Sequence, residues 1–446
     1  MNKNAAPTFV ISTLGCRVNQ YESEAVAGLL TREGFVPAAP GEPADVAIVN
    51  TCAVTAESER KSRQLLRRLR SENPDAVVVA AGCSAELSES GLSKIPGVDL
   101  ICGNGAKDRI PDLVKEALRG RSAAPSAVVP DLSRAPYDGL VLTDPARARA
   151  YVKIEDGCGN KCAYCVIPRV RGPVRSKDED AVLREIGGLL EKGVREVILT
   201  GIETGSYGED LPRRAGERPL VSLLRRVASL GVPRIGLGSL DPTVLTPEFV
   251  GAVRETPAIL PHFHISVQSG SSEILRRMRR RYSADMLADL IGGLRAAVPD
   301  VTLSADVIAG FPGEDETLFS ETVDFVRTVR FLHLHVFPYS ERPGTEAAEM
   351  GGQVPVFVRK ERVSRLTAIG NEIKAEILAR YAEEHAAVPV RVLAEKCSRG
   401  TVSGHSEHWI EVLFPGTPSD AGGEIEVYTR EAGNGSVTGK KKELLH

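Results

Sequence analysis

Asp156-Gly157-Cys158-Gly159-Asn160-Lys161-Cys162-Ala163-Tyr164-Cys165 places three thiols within eight residues, at C-x3-C-x2-C spacing. The apolar stretch Tyr151-Val152-Lys153-Ile154 comes just before it. The thiols are therefore expected on a loop leaving a strand end, where three side chains can turn onto one point. Zinc would need a fourth protein ligand to close a tetrahedral structural site, and no His or Cys lies nearby in sequence to supply it. A four-iron cubane held by three cysteinates keeps one iron free for another ligand. The spacing also admits a zinc loop completed from a distance.

At 446 residues the chain is about three domains long. A hydrophobic content of 42% and a charged content of 26% are those of a soluble globular protein. No apolar run reaches transmembrane length, and no membrane partner is expected. The segment Met1 to Leu14 carries one Lys and the short apolar run Phe9-Val10-Ile11, and it reads as a first strand rather than a signal peptide. The expected location is cytoplasmic. Eight cysteines in a reducing compartment argue against a disulfide framework. A net charge of −3 gives no global nucleic-acid signal, so any RNA-binding face must be a local basic patch.

In the N-terminal region, taken as residues 1–122, three β-like runs each end in a Cys. Phe9 to Gly15 leads to Cys16, Asp45 to Thr51 to Cys52, and Ala76 to Gly82 to Cys83. Helix-like segments such as Glu22 to Thr31 and Glu57 to Arg70 alternate with them, which argues for a parallel α/β sheet. Ligand sites in such sheets lie at the carboxyl ends of the strands, so thiols 36 and 31 residues apart can converge there. A single Cys of this kind is an ordinary small core residue. Three in equivalent places favour a second cluster site. Cys102 and Cys397 show no such placement and are read as structural.

Residues 121–149, rich in Ala, Pro and Ser, read as an extended connection. Over the central region, taken as 144–378, six β-like runs alternate with helices. They are Tyr151–Ile154, Glu196–Gly201, Arg234–Ser239, His262–Gln268, Thr302–Ala309 and Leu332–Phe337. The pattern predicts a partial TIM-type barrel with its site on the loops at the strand C-termini. Polar or glycine-rich turns follow the strands, among them Gly201 to Gly205, Ser239 to Pro242, Gln268 to Gly270 and Gly310 to Glu314. His262, His264, His333 and His335 fall on strands and are read as core or ring-stacking residues rather than metal ligands. The region 379–446 follows a long helical pattern, Val354 to Ala387, that Pro389 ends. Its short alternating runs (Val390–Ala394, Trp409–Phe414, Glu424–Tyr428 and Ser436–Thr438) predict a small antiparallel β-barrel. Such a barrel often binds nucleic acid, and a structural cap is the competing reading. Arg276 to Arg281 puts five guanidinium groups into six residues. Arg279, Arg280 and Arg281 are thus candidate phosphate contacts, with Tyr282 a candidate to stack on a base.

Taken together, these motifs resemble the radical S-adenosylmethionine (SAM) methylthiotransferases over nearly the whole chain, including their C-terminal TRAM-type β-domain. Thr13 to Glu22, Asn50 to Thr55, Arg60 to Gln64 and Leu199 to Gly208 are similar to the branch that modifies threonylcarbamoyladenosine in tRNA. Glu203 departs from that branch, which commonly has His there, although its carboxylate can pair with the SAM ammonium group. The resemblance implies two [4Fe-4S] clusters and SAM, with tRNA and a one-electron reductant as partners. Cys158, Cys162 and Cys165 would hold the SAM-binding cluster, and Cys16, Cys52 and Cys83 an auxiliary cluster carrying the sulfur. SAM would be cleaved to a 5′-deoxyadenosyl radical, and a methylthio group inserted at C2 of adenine 37. Tyr164, Glu203, Ser239, Gln268 and Asp306 would line the SAM pocket. No side chain is required as a general acid or base. One of Arg169, Arg171 and Arg175, just after the cluster loop, is expected to meet the threonylcarbamoyl carboxylate, the alternative being that all three contact phosphates. Competing readings keep the chemistry on isopentenyladenosine in tRNA or on an aspartate of a ribosomal protein. A more distant one is a non-enzymatic iron–sulfur RNA-binding protein.

Overall fold

The computed structural model describes residues 6–442 except 88–89, 121–123, 146–147, 213–215 and 217. The first part of the chain runs β1 (Thr8–Thr13), α1 (Arg17–Arg32), β2 (Val36–Pro37), β3 (Val46–Thr51), α2 (Ala56–Glu72), β4 (Val77–Gly82), β5 (Leu100–Cys102), α3 (Ile110–Arg119) and β6 (Ser126–Val128). These strands form one all-parallel sheet of order β2-β1-β3-β4-β5-β6. Every residue of β3 and β4 is buried, as expected of central parallel strands covered on both faces. Thr55 caps α2, its side chain accepting from the Ser58 N–H.

Two expectations for this region are corrected. The stretch read as a plain connection contributes an edge strand, β6, and sends Leu132, Leu140 and Leu142 into the core. Cys102 does end a strand, β5. Its Sγ lies 3.2 Å from the Ala106 carbonyl oxygen, and burial pushes the thiol up to about 12, so it packs as a core residue.

The central part runs β7 (Arg149–Lys153), β8 (Glu155–Asp156), α4 (Ile167–Arg171), β9 (Arg175–Ser176), α5 (Glu179–Glu191), β10 (Glu196–Thr200), α6 (Pro219–Ser229), β11 (Arg234–Leu237), α7 (Pro247–Glu255) and β12 (His262–Gln268). It continues through α8 (Ser272–Arg277), α9 (Ala284–Ala297), β13 (Thr302–Ala309), α10 (Glu316–Val329), β14 (His333–Pro338), α11 (Glu346–Glu349) and α12 (Val356–Glu384). Strands β7, β10 and β11 form one parallel sheet and β12, β13 and β14 another. Parallel bridges Ile235–Ile259 and Leu240–Ile265 join them into an open six-stranded barrel. One apolar cluster runs from Phe9 and Tyr21 of the N-terminal sheet into this barrel, so the two share a core. The boundary expected at 378/379 falls inside α12, which is continuous to Glu384.

Strands β15 (Val390–Ser398), β16 (Thr401–Ser406), β17 (Glu411–Pro415), β18 (Glu424–Gly433) and β19 (Ser436–Lys441) close a small barrel. It is not wholly antiparallel, because β17 and β19 pair in parallel to complete the closure. The polar run Thr401-Val402-Ser403-Gly404-His405-Ser406, not anticipated as a strand, supplies β16. Arg234 of β11 holds this barrel in place by donating to the carbonyl oxygens of Arg391, His405 and Ser406. Among the described residues, no helix is long and apolar enough to cross a membrane.

Candidate functional site

The loop carrying Cys158, Cys162 and Cys165 is pinched at its base by antiparallel pairing of β8 with β9. Gly157 precedes the first thiol at φ +89°, and a Cβ there would collide with the Pro173 carbonyl. The Cys158 N–H donates to the Gly172 carbonyl at 3.1 Å, closing the loop on itself. The Ala163 N–H donates to Met278 and the Ala163 carbonyl accepts from Ala347, fixing the loop to the segments after α8 and before α12.

Each sulfur of this trio faces one donor. The Asn160 N–H reaches Cys158 Sγ and the Ile167 N–H reaches Cys165 Sγ, both at 3.4 Å. Arg280 Nη1 lies 3.2 Å from Cys162 Sγ. Burial pushes the Cys158 and Cys165 thiols up to about 12. Donors aimed at thiols that burial keeps protonated suit a site whose sulfurs ionise on binding a metal.

The second trio sits at the carboxyl ends of β1, β3 and β4, as expected. Cys16, Cys52 and Cys83 feel one another's charge, and burial pushes Cys52 up to about 11. Gly82 stands before Cys83 at φ +93°, where a Cβ would lie 2.5 Å from Asn50 Oδ1. Donors surround this trio too: Arg171 Nε lies 3.3 Å from Cys83 Sγ, and the backbone N–H groups of Asn19 and Val54 face Cys16 and Cys52. Both trios therefore fit cysteinate-held clusters. Among the described residues only Glu22, Asp138 and Asp156 bring three ligand atoms within 4.8 Å of one another, so the sulfurs of each cysteine trio stand further apart than that.

A buried charge network joins the two loops. Glu22 of α1 pairs with Lys107, with Lys153 of β7 at 3.0 Å and with Arg171 of α4. Arg171 also meets Asp156 at 3.2 Å, and Lys153 meets Asp138. Burial alone would raise the Glu22 carboxyl, but Arg171, Lys107 and Lys153 hold it well below the usual carboxylate range. These three acids are a candidate cation cluster by geometry, and side-chain cations already fill it. Arg171 and Arg175 are two of the three arginines that the sequence offers as donors to the substrate carboxylate or to phosphates. Both are buried, with Arg175 donating to the Leu132 and Arg171 carbonyls. Arg169 is exposed and donates to the Pro343 carbonyl at 2.6 Å.

Between the N-terminal sheet, the inside of the large barrel and the small barrel lies a cavity of about 750 Å³. Gly15, Cys16 and Arg17 line one wall, Ser239, His264, Ser304 and Asp306 another, and His262, His333, His405 and Trp409 its floor. Trp409 stacks on His262, with centroids 5.7 Å apart, and His264 Nε2 lies 3.1 Å from Asp306 Oδ2. Burial holds His262 well below the ordinary imidazole range and His333 at about 4, so these two rings are neutral at pH 7. The four strand histidines thus face other rings: His262 stacks on Trp409, His333 on His335, and His264 tilts against His335.

Of the anticipated SAM contacts, Ser239 and Asp306 line this cavity, whereas Tyr164 and Gln268 do not. Tyr164 packs edge-on to Phe311 beside the cluster loop, and Gln268 ends β12 at φ +68°. Glu203 is buried behind Ser239 and accepts from the Asp241 and Gly205 N–H groups. Burial and the neighbouring Asp241 charge push its carboxyl up to about 7. The basic run divides. Arg279 pairs with Glu346, Arg281 meets Asn160, and both stay exposed. Arg280 is buried against Asp241, Cys162 and the Ser266 carbonyl, and the buried Tyr282 hydroxyl donates to that same carbonyl. Neither Arg280 nor Tyr282 is free to touch RNA, since both brace the cluster loop from behind.

Comparison with known proteins agrees with this geometry. Residues 8–103 match the model described as Uncharacterized protein family UPF0004, and residues 152–326 match the Radical SAM superfamily. The threonylcarbamoyladenosine tRNA methylthiotransferase MtaB of Bacillus subtilis is 37% identical over 431 residues, covering 96% of this chain and 94% of that protein. The tRNA-2-methylthio-N(6)-dimethylallyladenosine synthase of Moorella thermoacetica is also 37% identical, over 95% of this chain and 96% of its own length. Among solved structures, the radical SAM methyltransferase TsrM of Kitasatospora setae shares the fold, with a TM-score of 0.55 at 14% identity over 88% of this chain and 79% of its own. With both family models in this order and such relatives over nearly its full length, the chain belongs to the radical SAM methylthiotransferase family.

Proposed function

We propose that this protein inserts a methylthio group at C2 of N6-threonylcarbamoyladenosine 37 in tRNA. Cys158, Cys162 and Cys165 would hold one four-iron cluster, and Cys16, Cys52 and Cys83 a second. When bound with SAM and fed by a one-electron reductant, these groups supply the radical and the methylthio sulfur. The observation that carries the reading is that Cys16 opens onto the same cavity as Ser239 and Asp306 of the radical SAM barrel.

The chain's own residues bind, orient and exclude water. Arg280 and the Asn160 and Ile167 N–H groups stabilise the thiolates of the first trio, and Arg171 does so for Cys83. Ser239 and Asp306 are the SAM contacts of this proposal inside the cavity, Tyr164 and Gln268 those outside it toward the cluster loop, and Glu203 acts through the turn it holds at Asp241. The stacked Trp409 and His262 form an apolar face of the cavity.

Relatives named for threonylcarbamoyl and for dimethylallyl substrates match at equal identity. The substrate reading therefore rests on the Thr13 to Glu22 motif and on the polar cavity wall beside it. Three working regions follow: the auxiliary-cluster region 1–122, the radical SAM barrel from 144 through α12, and a TRAM-like small barrel that contacts tRNA. Exposed Arg279 and Arg281 at the cluster-loop mouth are the proposed tRNA contacts. The expected setting is the cytoplasm, whose reducing conditions keep the eight cysteines out of disulfides.

The test is iron content and product analysis of two triple variants. Replacing Cys158, Cys162 and Cys165 with Ala should leave about half the iron and abolish SAM cleavage. Replacing Cys16, Cys52 and Cys83 should keep SAM cleavage but yield no thiolated nucleoside. Full iron retention in either variant contradicts the assignment.

A further inference from the structure

We propose that Arg17 reads the carboxylate of the threonylcarbamoyl group and so sets substrate choice. This inference rests on the substrate reading above. Among the described residues lining the 750 Å³ cavity, Arg17 is the one Arg or Lys. Its guanidinium lies 5.0 Å over the Tyr151 ring, and its Nη1 donates to Gln20 Oε1 at 3.2 Å. Among the described residues no carboxylate pairs with it. Other guanidiniums of this part of the molecule have carboxylate partners: Arg171 has Glu22 and Asp156, Arg280 has Asp241, Arg149 has Glu196 and Glu395, and Arg279 has Glu346, while Arg281 meets the Asn160 side chain and Arg169 the Pro343 carbonyl outside the cavity.

Its place follows from the chain. Arg17 is the first residue of α1 and the neighbour of Cys16, so cation and cysteine face one space. The first turn of α1 holds no acidic residue to compete for the guanidinium, and the positive end of the helix dipole adds to its field. The cation–π contact with Tyr151 holds the guanidinium at the cavity wall, and Gln20 engages its Nη1.

The chemistry of the base favours a cation that faces the same cavity as the sulfur donor. C2 and C6 of adenine are both bonded to N1, so a substituent on N6 lies on the same edge as the carbon to be modified. When C2 faces the cluster held by Cys16, the N6 group falls beside Arg17. A guanidinium fork matches a carboxylate in bidentate fashion. An apolar isopentenyl group would leave that fork desolvated and without a partner, which is how a polar site rejects an apolar analogue.

The test measures equilibrium binding of the reconstituted holoenzyme to two tRNAs of one sequence, with adenine 37 either unmodified or threonylcarbamoylated. The wild type should bind the modified tRNA about 10- to 100-fold more tightly, the range of a charge-assisted contact. Arg17→Gln should bring that ratio close to one by weakening the modified tRNA alone, and Arg17→Lys should retain part of it. A purely structural role for Arg17 would not change a ratio between two tRNAs that differ only at N6. An unchanged ratio in Arg17→Gln overturns the assignment, and so does equal weakening of both tRNAs, which marks a phosphate contact. A wild type that methylthiolates only isopentenyl tRNA overturns the substrate reading and this inference together, whereas the first two outcomes leave that reading standing.

Discussion

Glu22→Gln removes the carboxylate on which Lys107, Lys153 and Arg171 converge, all of them buried. What each cation has left sets the cost. Lys153 keeps Asp138 and, at 3.4 Å, Asp156; Arg171 keeps Asp156 at 3.2 Å. Lys107 keeps no second carboxylate among the described residues. The variant therefore strands one ammonium group in the core, which costs about 3–5 kcal/mol. A second change, Lys107→Met, removes the stranded charge and should recover much of that loss, so the double variant is more stable than Glu22→Gln alone. The assay is anaerobic urea denaturation at pH 7 of reconstituted protein, followed by far-UV circular dichroism. A loss under about 1 kcal/mol, the scale of an exposed pair, would refute the reasoning. So would a Lys107→Met cost that simply adds to that of Glu22→Gln. The acid limb gives a further check. The folded-state pKa of Glu22 lies below its unfolded value of 4.5, so its contribution is present above pH 4.5 and lost as pH falls through the folded pKa. The gap between wild type and variant should close on that side.

Gly82→Ala should release about half the iron while SAM cleavage persists. A left-handed φ of +93° strains the new residue by about 1–3 kcal/mol, and its Cβ meets Asn50 Oδ1 and the Thr51 carbonyl next to Cys83. Burial holds His408 at about 4, below the ordinary imidazole range, so its contribution to stability is present above pH 6.5 and lost as pH falls through about 4. Unfolding of His408→Gln followed between pH 6.5 and 4 should therefore show a shallower pH slope than wild type. Arg279→Ala and Arg281→Ala should each weaken tRNA binding at low salt and reduce the salt slope by about one, measured by filter binding at several ionic strengths. Equal slopes in wild type and both variants would place the phosphate contacts elsewhere.

The sequence shows the chemistry-bearing spacing better than it shows side-chain direction. Three thiols at C-x3-C-x2-C and three more at strand ends were legible because cysteine spacing and continuous apolar strands are local signals. Strand β12 was legible from His262 to Gln268 for the same reason. Arg276 to Arg281 read as one basic patch because counting charges does not reveal which guanidinium turns inward, and Arg280 does. Glu22 and Arg171 lie 149 residues apart, and Glu22 and Lys107 85 apart, so no window of sequence could pair them. Arg17 drew no notice as a single residue inside a motif. Its meaning comes from the cavity, where among the described residues it has no acidic partner. Strand β16 escaped because Thr401 to Ser406 is polar on both faces until the barrel closes around Val402.

The account is tested most directly by offering the reconstituted enzyme, with SAM and a one-electron reductant, two tRNAs in competition. One carries threonylcarbamoyladenosine at position 37 and the other isopentenyladenosine, and the released nucleosides are followed by mass. Two filled clusters and a cation beside Cys16 predict that the methylthio group accumulates on the threonylcarbamoyl nucleoside, with little on the other. Accumulation on the isopentenyl nucleoside would contradict the substrate assignment, and an absence of methylthio product on both tRNAs would contradict the proposed activity itself.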